Sequence, residues 1–155
     1  MKISSLVIFG LCVMISACSA PNEQDNQKAT ATEDEPLTIE EVSENVINHH
    51  LASFAENDLE AVVSDYTDGS IIITPDSTFK GIEQISSFFE GLFPGFPSDS
   101  TAFVMDNMVI ENEVVYIIWH CSTPSLDIPL GTDTFIIKDG KINVQTFAAV
   151  LNPVE

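Results

Sequence analysis

The sequence contains no arginine and only five lysines in 155 residues, against 24 aspartates and glutamates. Binding to nucleic acid needs a basic footprint to neutralise phosphates, so a nucleic-acid partner is excluded. An anionic lipid surface would repel the chain for the same reason. Cysteine is scarce, three in all, with no CxxC and no cluster of His, Cys and carboxylate at metal-ligand spacing. That leaves neither a disulfide framework nor a zinc site, and no cofactor is expected. No apolar run reaches the ~20 residues that cross a bilayer as a helix. There is no internal repeat.

What is present begins with a leader. Lys2, the apolar run Leu6 to Ile15 and the small residues after it have the pattern of an export signal. Its end, Ile15-Ser16-Ala17-Cys18, resembles the lipobox of bacterial lipoproteins. The resemblance implies that residues 1–17 are removed and that Cys18 is lipidated as the first mature residue. Each buried acyl CH₂ then contributes about 0.8 kcal/mol of membrane affinity. An ordinary secretory signal that happens to carry Cys18 is the alternative. Ser19, in place of an inner-membrane retention aspartate, points to the outer membrane facing the periplasm, with membrane contact through the lipid anchor alone. Residues 18–36 include no large apolar side chain and form a flexible tether, about 20 to 25 Å in reach. Residues 37–155 make one domain. Loss of Lys2 with the leader leaves the mature chain a formal charge near −20, a solvated acidic surface.

Thr38 followed by Glu41 is a capping box, and Ile39, Val42, Val46, Ile47, His50, Leu51 and Phe54 recur at helical spacing. A helix of about 18 residues follows, with His50 on its apolar face. The adjacent His49 and His50 are no metal pair by themselves, because consecutive helix residues point about 100° apart. Asn57-Asp58 starts a second helix from Leu59 to about Tyr66, and Ile71 to Thr74 is a short strand ended by Pro75. Gly81 opens a third helix with Ile82, Ile85, Phe88, Phe89 and Leu92 on one side. After the proline-marked loop GLFPGFPSDS come strands at about 101–110, 113–122, 131–138 and 141–150, with turns at Glu111-Asn112 and Asp139-Gly140. Helices on one face of an antiparallel sheet make an α+β fold. Cys121, alone after the apolar strand Val114 to Trp119, reads as a small buried side chain rather than a reactive thiol.

Strand alternation puts the carboxylate of Asp133 on the same face as Phe135 and Ile137, with Thr146 opposite it in the hairpin. An aspartate there is either a structural hydrogen-bonding group, satisfied by Thr146 or His50, or a functional one. The other strands group Phe103, Met105, Tyr116, Ile118 and His120 on one face and Val104, Met108, Ile117, Trp119 and Cys121 on the other.

The run VINHHLASFAENDLEAVVSDYTDGSIIITPDSTFKGIEQISSFFEGLF, with VVYIIWH and TDTFIIKDGKINVQTF, resembles the SnoaL-like branch of the nuclear transport factor 2-like (NTF2-like) superfamily over nearly all of residues 39–152. That resemblance implies a cone: a strongly bent antiparallel sheet wrapped around the long N-terminal helix, open at one end on an apolar cavity. It also implies a homodimer through the outer sheet face. The ketosteroid isomerase of this superfamily places its catalytic tyrosine at His50, its general-base aspartate at Thr74 and its oxyanion-hole aspartate at Asp133, so one position of three matches in kind. Thr74 is no base at neutral pH. Ungapped alignment favours the His120 face as the cavity wall and makes Trp119 a dimer-face anchor; a one-residue slip exchanges them. The expected pocket is therefore His50, Phe54, Thr74, His120, Asp133 and Phe135. Two functions follow. One is a binding domain for a small apolar or carbonyl-bearing molecule; the other is an isomerase, cyclase or dehydratase acting through Asp133 and His50. In a third arrangement the cavity is filled by its own side chains, among them Phe93 and Phe96.

Overall fold

The computed structural model describes residues 36–154. The leader, Cys18 and nearly all of the tether lie outside the described residues. Helix α1 (Ile39–Ala55) begins where the sequence places it: Thr38 Oγ1 accepts from the Glu41 N–H at 3.2 Å, and Glu41 Oε2 accepts from the Thr38 N–H at 2.8 Å. Such a reciprocal cap satisfies two orphan donors. Helix α2 (Leu59–Ser64) is capped by Asp58, which accepts from the Ala61 N–H. Between them Asn57 takes the left-handed conformation (φ 56°). Its amide clips the later loop in place: Nδ2 donates to the Phe96 carbonyl at 3.0 Å and Oδ1 accepts from the Ser98 N–H at 2.9 Å. Helix α3 (Gly81–Leu92) runs into a single 3-10 turn, Phe93–Gly95.

Six strands form one sheet: β1 (Ile71–Ile73), β2 (Thr78–Lys80), β3 (Ala102–Glu111), β4 (Val114–Ser122), β5 (Leu126–Lys138) and β6 (Lys141–Pro153). Their spatial order is β2-β1-β6-β5-β4-β3. The sheet is not wholly antiparallel, as the sequence led us to expect: β1 runs parallel to β6. Strand β2 was not foreseen. Three residues leave no alternation to read, and the hairpin is closed by the Thr74 N–H donating to the Ser77 carbonyl. The Asp139-Gly140 turn has both residues at positive φ (51° and 69°), the twist that suits a two-residue hairpin.

Register breaks at Met105/Asn107, Asp127/Leu130 and Ile136/Ile137 are β-bulges, which bend strands and increase their twist. The last one matters for the site. It shifts β6 by one residue, so Phe147 rather than Thr146 stands opposite Asp133, and Gln145 turns inward opposite Phe135.

The helices cover one face of the sheet. Ile47 of α1, Val62 of α2, Ile85 and Phe89 of α3, and Ile72 and Ile142 of the sheet are essentially inaccessible. Burial of each contributes roughly 1.5 to 3 kcal/mol relative to exposure. The opposite face is bare among the described residues and carries exposed Val104, Val109, Val114, Tyr116, Leu130 and Val150.

Candidate functional site

Along β5, alternation sends Gly131, Asp133, Phe135 and Ile137 to the covered face, and all four are buried. Asp133 is only 5 % exposed. Its Oδ2 accepts from the Trp119 indole N–H and its Oδ1 from the Gln145 amide, both at 2.8 Å. Gln145 is itself held, because the Tyr66 hydroxyl donates to its Oε1. The indole reaches Asp133 because position 131, its partner across the β4–β5 ladder, is glycine. A Cβ there would lie 2.3 Å from the indole ring, well inside contact distance.

Burial pushes the Asp133 carboxyl above its ordinary value, while the bonds from Gln145 and Trp119 and the charge of His50 pull it back. Burial raises the Tyr66 phenol well above its ordinary value, with help from Asp133 and Asp65. Tyr66 therefore stays protonated and keeps donating. The carboxylate is thus satisfied by two donors fixed at a distance from each other in sequence, not by the Thr146 hydroxyl or His50.

His50, on the buried face of α1, is 3 % exposed. It meets the rings of Tyr66, Phe89 and Phe135 edge-on, at centroid distances of 5.6, 5.8 and 5.5 Å. Its Nδ1 is 3.5 Å from Asp65 Oδ2, and neither atom has a closer hydrogen-bond partner. Asp65 Oδ1 is engaged at 2.8 Å by the neighbouring His49 Nδ1. Two consecutive helix residues therefore converge on one carboxylate from α1. At 3.5 Å the His50–Asp65 approach is charge proximity and not a formed hydrogen bond.

These groups border a small cavity of about 50 Å³ that opens to solvent. Of the six expected pocket residues, His50, Phe54, Asp133 and Phe135 line it. Thr74 does not: it sits in the β1–β2 turn, where Oγ1 accepts from the Ser77 N–H at 3.1 Å. His120 does not either. It stands on the outer face with Nδ1 2.8 Å from Asp106 Oδ2, and Trp119 occupies the inner face instead, so the dimer-anchor role expected of Trp119 is wrong. The signal was within reach. The inward set Val115, Ile117, Trp119 and Cys121 is uniformly apolar in bulk, whereas the outward set includes His120 and Ser122.

Phe96 fills part of the cavity, as the self-filling arrangement requires, yet space remains. A second hollow of about 110 Å³ shares the walls of Leu51, Phe54, Phe96 and Phe103 with it. Cys121 is buried and burial pushes its thiol up, away from nucleophilic use. Among the described residues no group of three or more His, Cys, Asp or Glu is disposed to hold a metal ion.

The profile of the SnoaL-like domain matches residues 47–145. The chain belongs to the SnoaL-like family. Solved structures agree on the NTF2-like fold. A candidate SnoaL-like polyketide cyclase from Jannaschia sp. CCS1 is 20 % identical, with TM-score 0.63 over 74 % of this chain and 90 % of that one. A candidate ketosteroid isomerase from Kribbella flavida is 10 % identical, with TM-score 0.62 over 74 % and 82 %. An NTF2-like protein of unknown function from Cytophaga hutchinsonii is 11 % identical, with TM-score 0.57 over 76 % and 94 %. Comparison with curated proteins finds no match. At such identities the likeness is one of fold, so the chemistry of this SnoaL-like domain must come from its own side chains.

Proposed function

We propose that this SnoaL-like domain binds a small, mainly apolar molecule in its cavity, with Asp133 as the polar anchor. The observation that carries this is a single buried carboxylate, rigidly held, set with His50 and Gln145 in a wall otherwise made of apolar aromatic and aliphatic side chains. Such a pocket, apolar with a few convergent polar groups, is how small-molecule sites are built. Isomerisation of the ketosteroid kind is disfavoured, because the base position is Thr74 and its hydroxyl is engaged in a turn.

A second reading, an isomerase, cyclase or dehydratase acting through His50 and Asp133, is favoured by the position of His50 on the same cavity wall as Asp133, with Asp65 3.5 Å from its Nδ1. The chain's single tryptophan, Trp119, reports on both readings. Titration of the full chain with small aromatic and alicyclic probes should give saturable changes in its fluorescence, weakened at least tenfold by Asp133→Asn for probes that donate a hydrogen bond to the carboxylate. Equal affinity in the variant would remove Asp133 from the site.

The same proposal places the domain in the cell envelope, held through lipidated Cys18, and pairs it through the outer sheet face. The bare apolar stripe of Val104, Val109, Tyr116 and Leu130 supports pairing. Retention of Cys18→Ser in the membrane fraction would remove the anchor. A monomer in sedimentation would remove the dimer.

A further inference from the structure

The cavity holds one carboxylate and no lysine, the sequence holds no arginine, and His50 is the one titratable base on the cavity wall. Aromatic side chains stand around Asp133. Phe147 is its direct cross-strand neighbour, Phe135 is the next inward residue on β5, and Trp119 donates to it. Trp119 and Phe147 lie parallel, with interplanar angle 10° and centroids 6.3 Å apart, and Phe103 covers Trp119 with centroids 5.1 Å apart. Ring faces carry negative quadrupole density and attract cations, more strongly where water is excluded.

The hydrogen-bond directions point the same way. An indole N–H can only donate, and Gln145 presents its N–H₂ to Asp133 because Tyr66 occupies its oxygen. Both carboxylate oxygens are therefore acceptors, and these two bonds favour the ionised form against the burial that raises the carboxyl. A ligand carbonyl would need a proton on that carboxyl group, whereas a ligand N–H meets its free lone pairs directly. The acidic balance of the chain, 24 aspartates and glutamates against five lysines over the whole sequence, raises the local concentration of cations and lowers that of anions.

We infer that the ligand is a small apolar ammonium, a protonated amine on a hydrocarbon body, whose N–H groups bond Asp133 and whose charge lies against the Trp119 and Phe147 rings. This deepens the ligand-binding reading and rests on it. It replaces a carbonyl-bearing ligand with a cationic one.

Three probes of nearly one shape separate the possibilities: 1-phenylethylamine, 1-phenylethanol and acetophenone. They are titrated at pH 7 into the full chain and followed by Trp119 fluorescence, in about 0.15 M salt to screen the surface field. The amine should bind at least tenfold more tightly than the ketone or the alcohol. Asp133→Asn should abolish that preference, weakening the amine at least tenfold and the ketone by less than twofold. Saturable binding of ketone or alcohol as tight as the amine overturns the ammonium and leaves the ligand-binding reading standing. Persistence of the amine preference in Asp133→Asn overturns Asp133 as its anchor. No saturable response to any of the three overturns both. The wild-type ranking needs no variant, so it decides even where Asp133→Asn does not fold.

Discussion

Two histidine–aspartate pairs stand on opposite faces of the molecule and invert the usual ranking by distance. On the outer face His120 and Asp106 meet at 2.8 Å, with 46 % and 42 % of their side-chain surface exposed. Inside, His50 and Asp65 are 3.5 Å apart, with 4 % and 9 % exposed. Water and salt screen the first pair, so its short contact contributes little. The second is removed from water, so loss of Asp65 leaves the His50 Nδ1 buried without its nearest polar partner, whereas loss of His50 leaves Asp65 its bond to His49. Burial, not distance, decides which pair matters to the fold and which can serve a cavity.

The widest gap between the two faces should come from Asp65→Ala, which deprives both His49 and His50 of their partner. We expect a loss of about 3 kcal/mol in urea unfolding. A loss below about 1 kcal/mol would equate it with a surface pair. Next is Gly131→Ala, whose methyl group displaces the indole from β5 and breaks its bond to Asp133. Overpacking of this kind costs about 2 kcal/mol and should shift the Trp119 emission.

A third test uses pH. The Asp133 carboxyl is raised in the folded state. The stability it contributes is therefore present below the ordinary carboxylate value and is lost as pH rises through the raised one. The stability of wild type relative to Asp133→Asn should fall as pH rises above the ordinary carboxylate range, by at most about 1.4 kcal/mol per pH unit. A difference independent of pH would show that Asp133 titrates normally. The smallest effect belongs outside: Asp106→Ala should change stability by less than about 0.5 kcal/mol.

What the sequence revealed of this architecture was local. Thr38 and Glu41 announce α1 because a capping box is a four-residue event. Asp133 is readable as inward because alternation runs unbroken from Asp133 to Ile137. Its partners are not readable that way. Gln145 faces the cavity only because a bulge moves β6 by one residue, and Trp119 only because the phase of β4 was resolved by packing. On β3, Phe103, Met105 and Met108 all pair with inward residues of β4 despite their uneven spacing, since the bulge at Asp106 resets the alternation. Asp65 ends a short helix and gave no periodic signal at all. Its meaning lies in a contact with α1 that only the fold brings about.

The glycine beneath the indole also turns geometry into a pattern that can be searched. Trp119 and Asp133 are fourteen residues apart, and the glycine that lets them touch precedes the aspartate by two. Tryptophan, an eleven-residue interval, glycine, any residue, aspartate: a related chain with all three at this spacing possesses the same fixed carboxylate. One that retains the aspartate but fills the glycine position must hold its carboxylate by other means, and would sort into a different ligand class.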